Sequence, residues 1–291
     1  MFDAALLRQL DIRAYQLVAE VWGLYWPVLL ITVLLTLIER CFPLERGQPW
    51  RAWLFNMAWH ALVLAIGIIL SWTVWGEFVA WLCGMELAPT RAPAPRGWPE
   101  ELATLALVLL VYDFCIYWAH RLQHAVPALW AMHQFHHEER HMNAAASLRS
   151  HWLNIPYLQV LVTIPLMWLL GFEAYSFTAY LMIHIFLGYS HMNVRLDLGR
   201  FSKLLVGPQY HRMHHARERR QYDCNFATLL PLWDILFGTF QPPAAGDFGP
   251  TGVSGIPTSR AWIAASFQPD HRLVAHAQVA IRARLIGAGG A

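Results

Sequence analysis

Charge is scarce in this chain. Of its 291 residues only 14% are charged, against 57% hydrophobic, and the mean hydropathy is +0.35. An ordinary soluble domain carries about 25% charged residues, so the balance here is that of a membrane protein. The formal charge is only +2, and no basic stripe interleaved with aromatics appears, which excludes a nucleic-acid footprint. Cysteine is sparse too. Cys41, Cys83, Cys115 and Cys224 form no C-x-x-C pair, so there is no disulfide framework and no set to hold an iron–sulfur cluster. The G-x-G-x-x-G fingerprint of a flavin or dinucleotide site is missing. The first residues show no basic region followed by a short apolar core and a cleavage site, so no cleaved signal peptide is expected.

Long apolar runs fill the space that charge leaves. An amphipathic lead-in over residues 1–20 precedes a first run at about 21–38. A second runs from about 54 to 83, with Trp53, Trp59, Trp72, Trp75 and Trp81 suited to its two interfaces. A third covers about 101–119, and a fourth, 153–190, is interrupted by Pro156, Pro165 and Gly171 and fits a helical hairpin. Each is long enough to enter or cross a bilayer. The expected fold is an all-α integral membrane protein with about four transmembrane units, one of them a hairpin. A cytoplasmic helical cap completes it. Residues 88–99 are Pro-rich and divide an N-terminal transmembrane region (1–100) from a central domain (101–240). A soluble tail (241–291) follows, with a helix candidate at 272–285. Orientation rests on the positive-inside count. Arg40, Arg46 and Arg51 follow the first span, whereas the Pro-rich loop carries only Arg91 and Arg96, which directs the histidine-bearing side to the cytoplasm.

Twelve of the 15 histidines lie between His120 and His215. They form three groups: His120 and His124; His133, His136 and His137; His211, His214 and His215. On a helix, residues three and four apart share one face, so each group aims its imidazoles in one direction. Imidazole is the commonest ligand for mid- and late-row transition metals. With His184 and His191 added, these groups supply more nitrogens than one ion uses, so a two-metal site is the economical reading. The alternative is a set of polar residues resting at a membrane interface, which does not explain an H-x-x-H-H pattern that occurs twice. His60 stands alone and reads as a polar residue near the headgroups.

Rival chemistries are visible in the same stretch. His137, Glu138 and His141 spell H-E-x-x-H, the zinc-peptidase pattern with a glutamate base. That reading leaves most other histidines unexplained and reduces His141 to a polar neighbour. A haem-carrying electron-transfer protein would need histidines paired across spans at one depth, whereas these are grouped at a membrane boundary. Asp113 lies two turns before His120 on the same face. An ionisable group at membrane depth is usually functional, and the favoured role for Asp113 is as a catalytic-site residue that accepts from a ligand imidazole and orients it; the alternative is a structural bond to Tyr117. Asp223 and Asp234 share that ambiguity and lean to structure. Arg149 and Arg212 could bind a lipid headgroup or a carboxylate, and by default read as solvated interface residues.

The motifs with their flanks resemble the fatty acid hydroxylase / sterol desaturase superfamily of membrane di-iron enzymes. Asp113-Phe-Cys-Ile-Tyr-Trp-Ala-His120-Arg-Leu-Gln-His124 is similar to that family's first box, and Trp130-Ala-Met-His133-Gln-Phe-His136-His137 to its second. His191-Met-Asn193 and Tyr210-His211-Arg-Met-His214-His215 resemble the later boxes, and Leu232-Trp-Asp-Ile-Leu-Phe-Gly-Thr239 the domain's close. The resemblance covers roughly residues 101–240. It implies metal ligation by His120, His124, His133, His136, His137, His191, His211, His214 and His215. Because Gly188 stands where some members carry a second histidine four residues after His184, ligation by His184 is left open. The resemblance further implies two non-haem iron ions, O2 as co-substrate and hydroxylation or desaturation of a lipid such as a sterol or fatty acyl chain. Electrons would come from a separate ferredoxin- or cytochrome-type reductase system.

Overall fold

The computed structural model describes residues 4–70, 97–163, 165–166, 170, 176–218 and 221–253. The distal part of the second apolar run, most of the Pro-rich loop, the turn of the expected hairpin and the helix candidate at 272–285 lie outside them. Helices α1 (Ala4–Cys41), α2 (Trp50–Leu70) and α3 (Trp98–Ala125) are long and apolar enough to cross a membrane. The other candidate unit is shorter. After α5 (Asn154–Leu158) and a π-helical turn (Gln159–Thr163), the 15-residue α6 (Ser176–Ser190) carries its apolar stretch over Phe177–Ser190. The cap is made of α4 (Pro127–His137), a 3-10 turn (Ala144–Leu148), α7 (Pro208–His214) and α8 (Leu232–Leu236). Among the described residues there is no strand, only the isolated bridges Pro43–Val194 and Ala216–Thr251.

The spans solve their polar problems locally, because lipid offers no partner to an unpaired backbone group. In α1 the Thr32 and Thr36 hydroxyls donate to carbonyls one turn back, Val28 O and Thr32 O, each at 2.7 Å. Trp53 of α2 donates its indole N–H to Thr36 Oγ1 at 2.9 Å, and Tyr180 of α6 donates to Leu24 O of α1 at 3.2 Å. Val28, Met57, Ala145 and Leu148 close the core between α1, α2 and the 3-10 turn. Leu30, Leu34 and Leu37 of α1 and Leu107, Leu110 and Phe114 of α3 stay exposed, as lipid-facing surface does.

Helix α6 lies against α1 at Gly188. A Cβ there would stand 2.6 Å from Leu35 Cδ1. A side chain at 188 would require Leu35 to turn aside, so the two helices meet closely at this point. The span ends are pinned to the cap by carboxylate and amide. Glu39, buried at the end of α1, accepts from Ala144 N (3.1 Å) and Asn193 N (2.9 Å) through one oxygen. Asn193 in turn accepts from Glu45 N at 2.9 Å and donates to Glu45 O at 2.7 Å.

The two arginines expected at a solvated interface are interior instead. Arg149 is 2% exposed, donates Nε to Phe135 O at 2.7 Å, and has Glu138 and Glu139 carboxylates at 3.7 and 3.8 Å. Arg212 pairs with Glu45 and donates to Gly249 O at 2.9 Å. Their carboxylate partners compensate the burial that an isolated guanidinium would resist.

Candidate metal centre

The helical spacing of the histidines becomes real geometry in α3, α4 and α7. The nine motif histidines converge as two groups. His120, His124, His133, His137 and His214 form one; His136, His191, His211 and His215 form the other, and within each group the candidate ligand atoms lie within 4.8 Å of one another. The two H-x-x-H-H motifs divide in mirrored fashion. In α4 the i, i+4 pair His133 and His137 serves the five-histidine group, while His136 crosses to the four-histidine group. At α7 the pair His211 and His215 serves the four-histidine group and His214 crosses to the five. The groups are in contact: the His137 and His215 rings stack with centroids 4.2 Å apart.

Backbone carbonyls fix which nitrogen faces inward. A carbonyl only accepts, so the nitrogen bonded to it must carry the proton. His120 Nδ1 donates to Phe226 O (2.8 Å), His136 Nδ1 to Arg149 O (3.0 Å), His191 Nδ1 to Leu187 O (2.7 Å) and His214 Nδ1 to Cys224 O (2.7 Å). In each neutral ring Nε2 is then a bare lone pair. His136 Nε2 and His191 Nε2 face each other at 3.2 Å, and His120 Nε2, His214 Nε2 and His215 Nε2 are buried with no protein partner. Facing lone pairs repel unless a cation sits between them. For metal–nitrogen bonds of about 2.1 Å, neighbouring ligand nitrogens stand roughly 3.0–3.4 Å apart. His124 and His137 (3.2 Å), His133 and His137 (3.1 Å) and His191 and His211 (3.2 Å) have Nε2 atoms at that spacing. The residues present therefore fit a pair of metal ions.

Burial keeps these rings neutral. His133, His136, His137, His211, His214 and His215 are held well below the ordinary imidazole range, by burial first and neighbouring imidazoles second. His191 is lowered to about 4, again by burial. A neutral ring at physiological pH is the ligating form.

Several expected roles change. Asp113 reaches no imidazole, and it does not bond Tyr117. Its carboxylate accepts from Thr228 N (3.2 Å), Leu229 N (2.9 Å), Leu230 N (2.9 Å) and Trp233 Nε1 (3.1 Å), so it anchors the loop ahead of α8. Tyr117 instead bonds Thr239 Oγ1 at 2.8 Å. His184 joins neither group. Its Nδ1 donates to Tyr180 O at 2.8 Å, and its ring lies 6.1 Å from that of His60, which is buried between α2 and its neighbours rather than near headgroups. The H-E-x-x-H reading fails on geometry. Helix α4 ends at His137, so His137 and His141 do not share a helix face; Glu138 accepts from Gln134 at 2.8 Å and lies beside Arg149.

Asp223 and Asp234 were left ambiguous by the sequence. Asp223 sits 3.3 Å from His124 Nδ1, on the outer side of the five-histidine group. Asp234 is fully buried and binds backbone amides of the loop that holds His120 and His214. The carbonyls of Leu187, Arg149, Cys224 and Phe226 carry no sequence signal, since any residue supplies a backbone acceptor.

Among the described residues, fold and site define a mostly helical protein with three membrane-span-capable helices, which gathers two imidazole groups near their ends. The fatty acid hydroxylase family model matches residues 105–239. Ornithine lipid hydroxylase of Rhizobium tropici is 28% identical over 249 residues, covering 82% of this chain and 73% of that protein. Human alkylglycerol monooxygenase is 35% identical over 130 residues, covering 44% of this chain but only 28% of the relative. A Delta(7)-sterol 5(6)-desaturase of Gibberella zeae is 27% identical over 166 residues, 54% of this chain and 43% of that one. No solved structure matches. Over its central part the chain is thus similar to the fatty acid hydroxylase / sterol desaturase superfamily.

Proposed function

We propose that this protein is a membrane-bound, O2-dependent lipid hydroxylase using two non-haem irons. The observation that carries the reading is the set of nine converging imidazoles, divided five and four, with two rings of each group held by a backbone carbonyl on Nδ1. Two bound irons would supply reduction of O2 and oxidation of an unactivated C–H bond. Hydroxylation balances as substrate, O2, two electrons and two protons giving alcohol and water. With no cysteine set or flavin fingerprint in the chain, the electrons are assigned to a separate ferredoxin- or cytochrome-type donor. Hydroxylation rather than desaturation is favoured because relatives from two groups are named hydroxylase or monooxygenase.

The chain's own contribution is arrangement. His120, His124, His133, His137 and His214 would hold one ion, and His136, His191, His211 and His215 the other. The carbonyls of Leu187, Arg149, Cys224 and Phe226 stop the rings from turning, and burial excludes water that would compete for the nitrogens. Spans α1 to α3 present a lipid from the bilayer, and the positive-inside count directs the site to the cytoplasm. Two measurements test this together. Protein purified anaerobically from iron-supplied cells should hold two irons per chain. Lipid extracts of cells with the active protein should gain a species heavier by one oxygen. A single zinc with no lipid product would overturn the reading; loss of two hydrogens would redirect it to desaturation.

A further inference from the structure

Loop 224–230 supplies two of the carbonyls that hold inward-facing rings, Cys224 O for His214 and Phe226 O for His120. Both rings belong to the five-histidine group. The four-histidine group is anchored elsewhere, His136 by Arg149 O and His191 by Leu187 O of its own helix. Two buried carboxylates hold the loop: Asp113 grips residues 228–230, and Asp234 grips residues 226 and 227, next to the two carbonyls. Asp234 Oδ1 accepts from Phe226 N (2.8 Å) and Thr239 Oγ1 (2.7 Å), and its Oδ2 accepts from Ala227 N (2.8 Å) and Tyr210 OH (2.7 Å). At 0% exposure no water competes for these bonds. Asn225, between the two carbonyls, has a φ of 59° in the left-handed region and is tied to Gln241 N at 2.8 Å.

We infer that Asp234 is a positioning residue that sets the affinity of the five-histidine ion position and leaves the four-histidine position largely untouched. This rests on the proposal above that the imidazoles hold two ions. The path is short: carboxylate to the Phe226 and Ala227 amides, loop to the Phe226 and Cys224 carbonyls, carbonyls to the His120 and His214 Nδ1 protons. Each step fixes the direction of the next, and partners of ligand imidazoles typically govern metal affinity by about 10–100-fold.

Asp234→Asn is the discriminating substitution. One oxygen serves the Phe226 amide and the other the Ala227 amide, so an Asn placed either way turns an NH2 donor toward a backbone N–H. The loop must shift, and with it two carbonyls. Anaerobic titration of full-length protein with ferrous iron, read as bound metal per chain, gives the answer. Wild type is expected to bind two ions. Asp234→Asn should keep one near wild-type affinity and weaken the other by about 10–100-fold. Two ions at wild-type affinity, or equal weakening of both, as would follow if the Tyr210 link to α7 dominated, overturns the inference. Failure of wild type to bind two ions overturns the underlying proposal instead. If the variant does not fold, wild-type protein still decides by reciprocity, since a loop that tunes one position must be ordered by ion binding there. Amide exchange across 224–230 should slow on one of the two binding steps only. Equal slowing on both steps, or on neither, would refute the assignment.

Discussion

Asp113→Asn separates a structural carboxylate from one that serves the metal site. In the wild-type fold Asp113 is fully inaccessible and spends its oxygens on the Thr228, Leu229 and Leu230 amides and the Trp233 indole. Asn keeps one acceptor oxygen and turns a donor toward the donors on the other side. With two on each oxygen, two lose their acceptor whichever way the amide is placed. Hydrogen bonds to charged groups contribute about 1.5–3 kcal/mol each, so the cost is on the order of 3–6 kcal/mol. Against a total stability of about 5–15 kcal/mol that is severe. At about 2–4 °C per kcal/mol for a domain of this size, the melting temperature should fall by on the order of 10 °C. Metal affinity should hold, because the Cys224 and Phe226 carbonyls lie upstream of the amides Asp113 grips. The assay is thermal unfolding of purified protein beside turnover per bound metal. An unchanged melting temperature with turnover per metal down about tenfold would refute the reasoning and return Asp113 to the site.

His136→Ala and His214→Ala should each disturb a different ion position, the first more severely because it leaves three imidazoles rather than four; His184→Ala should cost no metal. Metal analysis of the three variants checks this, and loss of an ion in His184→Ala would contradict the grouping. Glu138→Gln should leave metal content and lipid turnover per metal nearly unchanged, since Glu138 faces Gln134 and Arg149; a peptide-hydrolysing activity abolished by it would restore the peptidase, whose general base it removes. The apoprotein should lose stability as pH falls from about 6.5 toward about 4. In that window the unfolded chain takes up protons that the buried histidines refuse, so unfolding is favoured by about 1.4 kcal/mol per pH unit for each such ring. Metal should leave over the same window, and a flat stability profile from pH 7 to 4.5 would show that the rings are not buried neutral.

The histidine positions were legible because i, i+4 spacing on a helix is a local rule: His133 with His137 and His211 with His215 could be paired from the sequence alone. Which ion position each serves was not legible, because that depends on how α4 and α7 are rotated against each other. Asp113 was misjudged for a related reason. Its partners lie 115 to 120 positions away, in a loop that presents backbone amides and so leaves little trace in residue identity. Arg149 looked like an interface residue until Glu138, Glu139 and the Phe135 ring closed around it. The membrane-span-capable helices followed directly from their apolar runs. Where α6 lies against α1 followed from neither composition nor periodicity, because its contacts, Gly188 beside Leu35 and Tyr180 on the Leu24 carbonyl, join residues more than 150 positions apart.

The mirrored division of the two H-x-x-H-H motifs has a mechanical consequence. His136 and His137 are consecutive residues that belong to different imidazole groups, and so are His214 and His215. Consecutive Cα atoms are held about 3.8 Å apart by a planar peptide. The two imidazole groups are therefore tied together covalently at two places in the chain. Bending or sliding of the spans, as a bilayer thins or a substrate enters, would carry the two groups along together as one body. Such motion would change the angle at which that body meets the lipid more readily than the spacing of the two groups.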